Sequence, residues 1–200
     1  MHQRGFSLIE LVVTIAVLAL ILMAAVPGMG LWLENTRIRN VADSIQTGLQ
    51  LARSEAVRRN QSISFHLVSL SNPGVLSNDC TLSGSSGSWV VSVSAPTSHC
   101  ADEPSTTTAP MIVSGRPVGD AGGKVSVTSV QSDSSTPGTT ATFNGLGRLT
   151  NTDAISQVIV NGTNSDTNYR KLSIEVSPAG AVRMCDPAVT DATDPRKCRT

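Results

Sequence analysis

From Phe6 to about Leu33 the chain is apolar almost without a break, and the one charged residue in that run is Glu10. A span of this length suits a membrane-crossing helix, which needs about 20 apolar residues. It also exceeds the roughly 7–15 apolar residues of a removable secretory signal. Pro27, Gly28 and Gly30 fall late in the run, where they are expected to kink or loosen the helix without ending it. Past Trp32 the apolar positions Ile38, Val41, Ala42, Ile45, Leu49, Ala52 and Ala56 recur every three or four residues, with Arg37, Arg39, Asp43, Arg53, Arg58 and Arg59 mostly elsewhere on the wheel. The pattern predicts one helix from Phe6 to about Asn60, a rod of roughly 80 Å at 1.5 Å per residue. Residues 6–33 form its membrane part and residues 34–60 its amphipathic continuation.

Beyond residue 60 the period changes to two. SISFHLV at 62–68, SWVVSVS at 88–94, KVSVTSV at 124–130, TATFNG at 140–145 and SQVIVN at 156–161 alternate or carry β-branched residues, as strands do. YRKLSIEVSPAGAVRMC closes the series as a hairpin with Pro178, Ala179 and Gly180 at its turn. The predicted class is α+β: a long N-terminal helix followed by a β-rich head over residues 61–200. Aromatic residues make up only 3% of the chain, which implies a modest core.

Lys plus Arg and Asp plus Glu number 15 each, so no global field draws the chain onto nucleic acid or acidic lipid, and any basic patch is local. The four cysteines, Cys80, Cys100, Cys185 and Cys198, all lie in the head and form no Cys-x-x-Cys. Two local disulfides, Cys80 with Cys100 and Cys185 with Cys198, are favoured over free thiols or zinc, which places the head in an oxidising compartment. No P-loop, dinucleotide fingerprint or Gly-x-Ser-x-Gly elbow occurs, and His66 falls within a strand, so catalysis and a cofactor are not expected. Asp186, Asp191 and Asp194 offer oxygen ligands of the type calcium takes, but without EF-hand order, and no metal site is assigned.

An acid near the start of an apolar span is costly, roughly 2.5–3.5 kcal/mol on insertion scales, and calls for a partner. The stretch Gly5-Phe6-Ser7-Leu8-Ile9-Glu10 resembles the class III leader junction of type IV prepilins and type II secretion pseudopilins. The resemblance implies a leader, Met1–Gly5, with Arg4 on the cytoplasmic side. It implies cleavage after Gly5 by a prepilin peptidase/methyltransferase and methylation of the new Phe6 amine. It also implies that Glu10 meets an N-terminal ammonium of its own or a neighbouring subunit and so sets filament register. QLARSEAVRRNQSISF at 50–65 and FNGLGR at 143–148 resemble the GspH/FimT branch, whose type IV pilin-like heads are β-rich and follow a long first helix.

This resemblance implies a minor pilin or pseudopilin at the tip of a type IV pilus or type II secretion pseudopilus, acting in assembly and protein secretion with other minor and major pilins. Its anchor would lie in inner-membrane lipid, single-pass, with the N-terminus cytoplasmic and the head periplasmic. Two alternatives stand beside it. Arg183, Arg196, Lys197 and Arg199 crowd the last eighteen positions and are candidates for DNA contact in natural transformation. DNA-uptake relatives carry, by resemblance, Gly-Arg-x-Arg before the tail; here Gly180-Ala181-Val182-Arg183 keeps the second arginine and loses the first. The other alternative, a single-span periplasmic receptor, would retain Met1. Arg37 and Arg39 beyond the span outnumber Arg4 before it, against the positive-inside tendency.

Overall fold

The computed structural model describes residues 7–121, 124–163 and 169–199, and all their side chains except those of residues 24–29 and 120. A single helix, α1, runs unbroken over Leu8–Arg59, 52 residues. At 1.5 Å per residue this is about 78 Å. Ser7 caps its start by accepting the Glu10 N–H. Asn60 ends it in the left-handed conformation, with φ 49° and ψ 42°. Arg58 and Arg59 sit in the last turn, where the helix dipole favours cations, and both bond the Glu55 carboxylate.

Nine strands follow among the described residues. Those of the first sheet are β1 (Ile63–Ser69), β2 (Thr81–Leu82), β3 (Ser88–Ser92), β4 (Ile112–Arg116) and β6 (Thr140–Phe143). Its order is β2-β1-β3-β4, with β6 also pairing β1. The second sheet holds β5 (Val125–Val130), β7 (Gln157–Gly162), β8 (Leu172–Val176) and β9 (Val182–Cys185), in the order β5-β7-β8-β9. Every pairing is antiparallel.

The two sheets share one core through the second half of α1. Ile38, Val41, Ala42, Ile45, Leu49, Ala52 and Ala56, the stripe read from the sequence, are buried together with Phe65, Phe143, Val158, Val160 and Ile174. Small residues let the helix approach closely: a Cβ at Gly48 would lie 2.7 Å from Phe65 and 2.8 Å from Trp89. A second, smaller cluster of Val68, Val90, Ile112, Cys80 and Cys100 fills the space beneath the long loops.

FNGLGR is the joint between helix end and head. Gly147 (φ +72°) and Gly180 (φ +81°) both adopt a conformation that L side chains rarely accept. A Cβ on Gly180 would meet the Gly147 carbonyl at 1.8 Å, and Arg53 donates its Nε–H to that same carbonyl at 3.2 Å. The β6–β7 loop, the β8–β9 turn and the penultimate turns of α1 therefore meet at one point.

Candidate assembly helix and charged tail

Among the described residues, the side chains of α1 from Leu8 to Met23 are exposed and pack against nothing else. Leu8 is 81% exposed, Ile9 72%, and Leu11, Val12, Val13, Ile15, Leu18 and Ile21 are likewise open. Glu10 lies exposed on the first turn amid these apolar neighbours. Gly5 and Phe6, the expected cleavage and methylation positions, and the leader Met1–Gly5 lie outside the described residues. Among the described residues, from which the side chains of 24–29 are excluded, no helix is long and apolar enough to cross a membrane.

The tail is built around Glu175 in β8. The hairpin turn sets the register Val176 opposite Val182 and Glu175 opposite Arg183, so acid and base face each other across the ladder. Arg183 Nη2 donates to Glu175 Oε2 at 2.8 Å and to the Lys197 carbonyl at 2.9 Å, while the Arg199 N–H reaches Glu175 Oε1 at 2.7 Å. Cys185 and Cys198 are bonded, with Cα atoms 5.1 Å apart, and Cys80 is bonded to Cys100. Glu175, Cys185 and Cys198 offer metal-type ligand atoms within 4.8 Å of one another. Both sulfurs are committed to the disulfide, however, and the carboxylate to Arg183 and Arg199.

The four candidate DNA-contact residues do not form an open basic patch. Arg183 is a strut of the tail. Arg196 grips Asp194 through Nε and Nη2 at 3.1 and 2.7 Å, which holds the Asp194 carboxyl down to about 2 and raises the guanidinium further. Lys197 Nζ donates to the Thr190 carbonyl. Of these four, the Arg199 guanidinium alone has no hydrogen bond or ion pair among the described residues. The three aspartates are also engaged with protein: Asp186 accepts from Arg170, Asp191 from Thr193 and Asp194 from Arg196. Hydrogen bonds from the Thr193 backbone and hydroxyl lower the Asp191 carboxyl.

Sequence reasoning missed Glu175 and the cavity where α1 meets the tail. For Glu175 a signal existed, because an acid within the buried run LSIEV requires a partner, and the hairpin register supplies Arg183. For the cavity none existed, since Trp32 and Arg39 lie far from Arg170 and Arg196 in sequence.

Residues 41–180 match the family of the type II transport protein GspH, and residues 1–26 match the prokaryotic N-terminal methylation motif. The chain belongs to the GspH family. It is accordingly a minor pilin or pseudopilin, a structural subunit that interacts with other pilins or pseudopilins as a membrane-anchored component of a pilus or pseudopilus. The GspH match takes in α1 from Val41 and all strands through β8, and ends at the hairpin turn before β9. No curated protein matches the chain significantly in sequence. Among solved structures, two of the Pseudomonas aeruginosa (strain PAO1) type IV minor pilin FimU are similar to it. They are 15% and 16% identical, with TM-scores of 0.47 and 0.45, covering 80% and 77% of this chain and 97% of theirs. At those values the likeness carries no argument about this chain.

Proposed function

We propose that this GspH-family subunit is cut after Gly5, methylated at Phe6, held in the inner membrane by residues 6–33 and built into the tip of a type II secretion pseudopilus or type IV pilus. In this reading residues 34–60 and 61–200 form the periplasmic portion, and the work is assembly in support of protein secretion, not catalysis. The observation that carries it is the division of α1: one continuous helix buries its second half in the head and leaves its first half apolar and bare. Only lipid or the helices of other subunits can cover such a surface without charge. Glu10, exposed on that bare half, would then be the group that reads a neighbour's N-terminal ammonium.

The test is the N-terminus itself. Mass spectrometry of the membrane-extracted protein should find a chain beginning with methylated Phe6, and Gly5→Leu should leave an uncut precursor, because the peptidase must approach the backbone at a residue lacking a side chain. A wild-type chain that keeps Met1 would favour a periplasmic receptor. A mutant that still begins with methylated Phe6 would sink the leader reading.

A second reading, DNA contact during natural transformation, rests on the Arg199 guanidinium beside Arg183. The engagement of Arg183, Arg196 and Lys197 within the tail makes it the weaker one.

A further inference from the structure

A cavity of about 400 Å³ opens where the start of the packed half of α1 meets β8, β9 and the tail. Its floor is apolar, from Leu172 and Met184, with Trp32 on its rim, 66% exposed. Three guanidiniums, those of Arg39, Arg170 and Arg196, stand around it. The Arg170 N–H is fixed to Asn35 Oδ1 at 2.9 Å, which ties this part of the head to the helix at the cavity's edge.

Each of the three arginines has an aspartate. Arg39 faces Asp43 at 3.6 Å, Arg170 bonds Asp186 at 3.0 Å and Arg196 bonds Asp194 at 2.7 Å. Three positive and three negative groups leave no net charge, which disfavours a polyanion. Donors remain nonetheless: Arg39 and Arg170 use only Nε in these pairs, and their Nη groups make no hydrogen bond among the described residues. Of the three aspartates Asp186 alone lines the cavity, while Asp43 and Asp194 stand at its edge through their pairs with Arg39 and Arg196, so the site offers phosphate-type donors, carboxylates at and beside it, and an apolar floor. It also lies directly past Leu33, where the bare apolar surface of α1 ends. Trp32 occupies the place on a helix where aromatic side chains meet lipid headgroups.

We infer that this cavity seats the headgroup of a zwitterionic phospholipid of the ethanolamine type, its phosphate on Arg39 and Arg170, its ammonium toward the balancing aspartates, and the top of an acyl chain against Trp32, Leu172 and Met184. The inference rests on the reading of residues 6–33 as a membrane span. A headgroup held there fixes the height and tilt of the head over the bilayer before the subunit is drawn into a filament.

Native mass spectrometry of the full chain in detergent, titrated with phosphatidylethanolamine, tests it. Wild type should retain one such lipid, and Arg39→Gln with Arg170→Gln should weaken retention about tenfold, about threefold for each of the two guanidiniums removed. Arg39→Gln alone, at a side chain 70% exposed with only a long ion pair, leaves the fold untouched and should weaken it about threefold. Arg116→Gln with Arg148→Gln should have no effect. Equal retention by wild type and the double variant would overturn the site. So would displacement by inorganic phosphate, a marked preference for phosphatidylglycerol, or displacement by a co-expressed pilin instead of by lipid. Release of the wild-type protein by alkaline carbonate would overturn the span and this site together, whereas firm membrane retention with unselective lipid binding would overturn this site alone.

Discussion

His66 stands in the middle of β1, 4% exposed, flanked in register by Val90 of β3 and Thr140 of β6. Its Nδ1 lies 3.1 Å from the Thr140 hydroxyl, and its Nε2 has no hydrogen-bond partner among the described residues. Burial without a second partner disfavours the imidazolium and lowers its pKa from 6.5 to about 4. A base with a depressed folded pKa binds fewer protons folded than unfolded, so its contribution is intact above about pH 6.5 and is lost as pH falls from there to about 4. The loss amounts to about 3 kcal/mol at most. Urea unfolding of the wild-type protein should show a declining midpoint across that window, and His66→Phe, which removes the titrating group, should flatten the decline. An unchanged pH profile in the variant would show that other groups govern acid sensitivity. The sequence placed His66 in a strand, but its burial depends on β3 and β6 closing on either side, and no local pattern states that.

At the scale of elements, the helix was legible because its apolar stripe repeats for about five turns and every stripe residue from Ile38 to Ala56 is buried. The strands β5, β6 and β7 were legible because one face of each is covered and the other is not, which writes an alternation into the sequence. The strand β4 was not legible. It follows a Ser-, Thr- and Pro-rich loop and carries Gly115, where a Cβ would press on Leu76 at 3.0 Å, so packing demanded a residue that weakens the strand signal. The two-residue β2 is too short to leave any pattern. Local spacing was enough to suggest both disulfides because each closes a loop within one stretch of the head, 20 and 13 residues apart. The α1 contact with the first sheet makes its own prediction. Gly→Ala inside a helix ordinarily stabilises by up to about 1 kcal/mol. At Gly48 the added methyl would strike the rings of Phe65 and Trp89, whose centroids are 5.9 Å apart, while the Trp89 Nε1–H is held by Ser44. Overpacking of this kind costs roughly 1–3 kcal/mol, so Gly48→Ala should lower the melting temperature by a few degrees. A rise would mean that the rings move aside freely.

For the whole molecule, the proposed function gives the bare half of α1 two roles, anchoring and assembly, and its single acid separates them. Glu10→Val makes the first half of the helix more apolar, so membrane retention should persist or improve and the cut after Gly5 should still occur. Incorporation into filaments should fall sharply, because a neighbour's buried ammonium left unpaired costs several kcal/mol. Co-purification of the variant with other pilins measures this. Normal incorporation would reduce Glu10 to a tolerated interfacial acid and leave the anchored-head architecture standing.

The two sheets share no strand, yet residues of both close on the same stretch of α1 from Ile38 to Ala56. Tension drawn along the helix axis therefore enters both sheets at once and in shear. Neither sheet can peel off strand by strand while the other bears the load. The joint of Arg53, Gly147 and Gly180 ties a loop and a turn to the same shaft near its far end, so the grip extends over almost the full packed length of the helix. A subunit pulled from the Leu8 end of the helix would yield by the slip of one rod along the two sheets that grip its buried face, a failure mode that requires the whole core to break together.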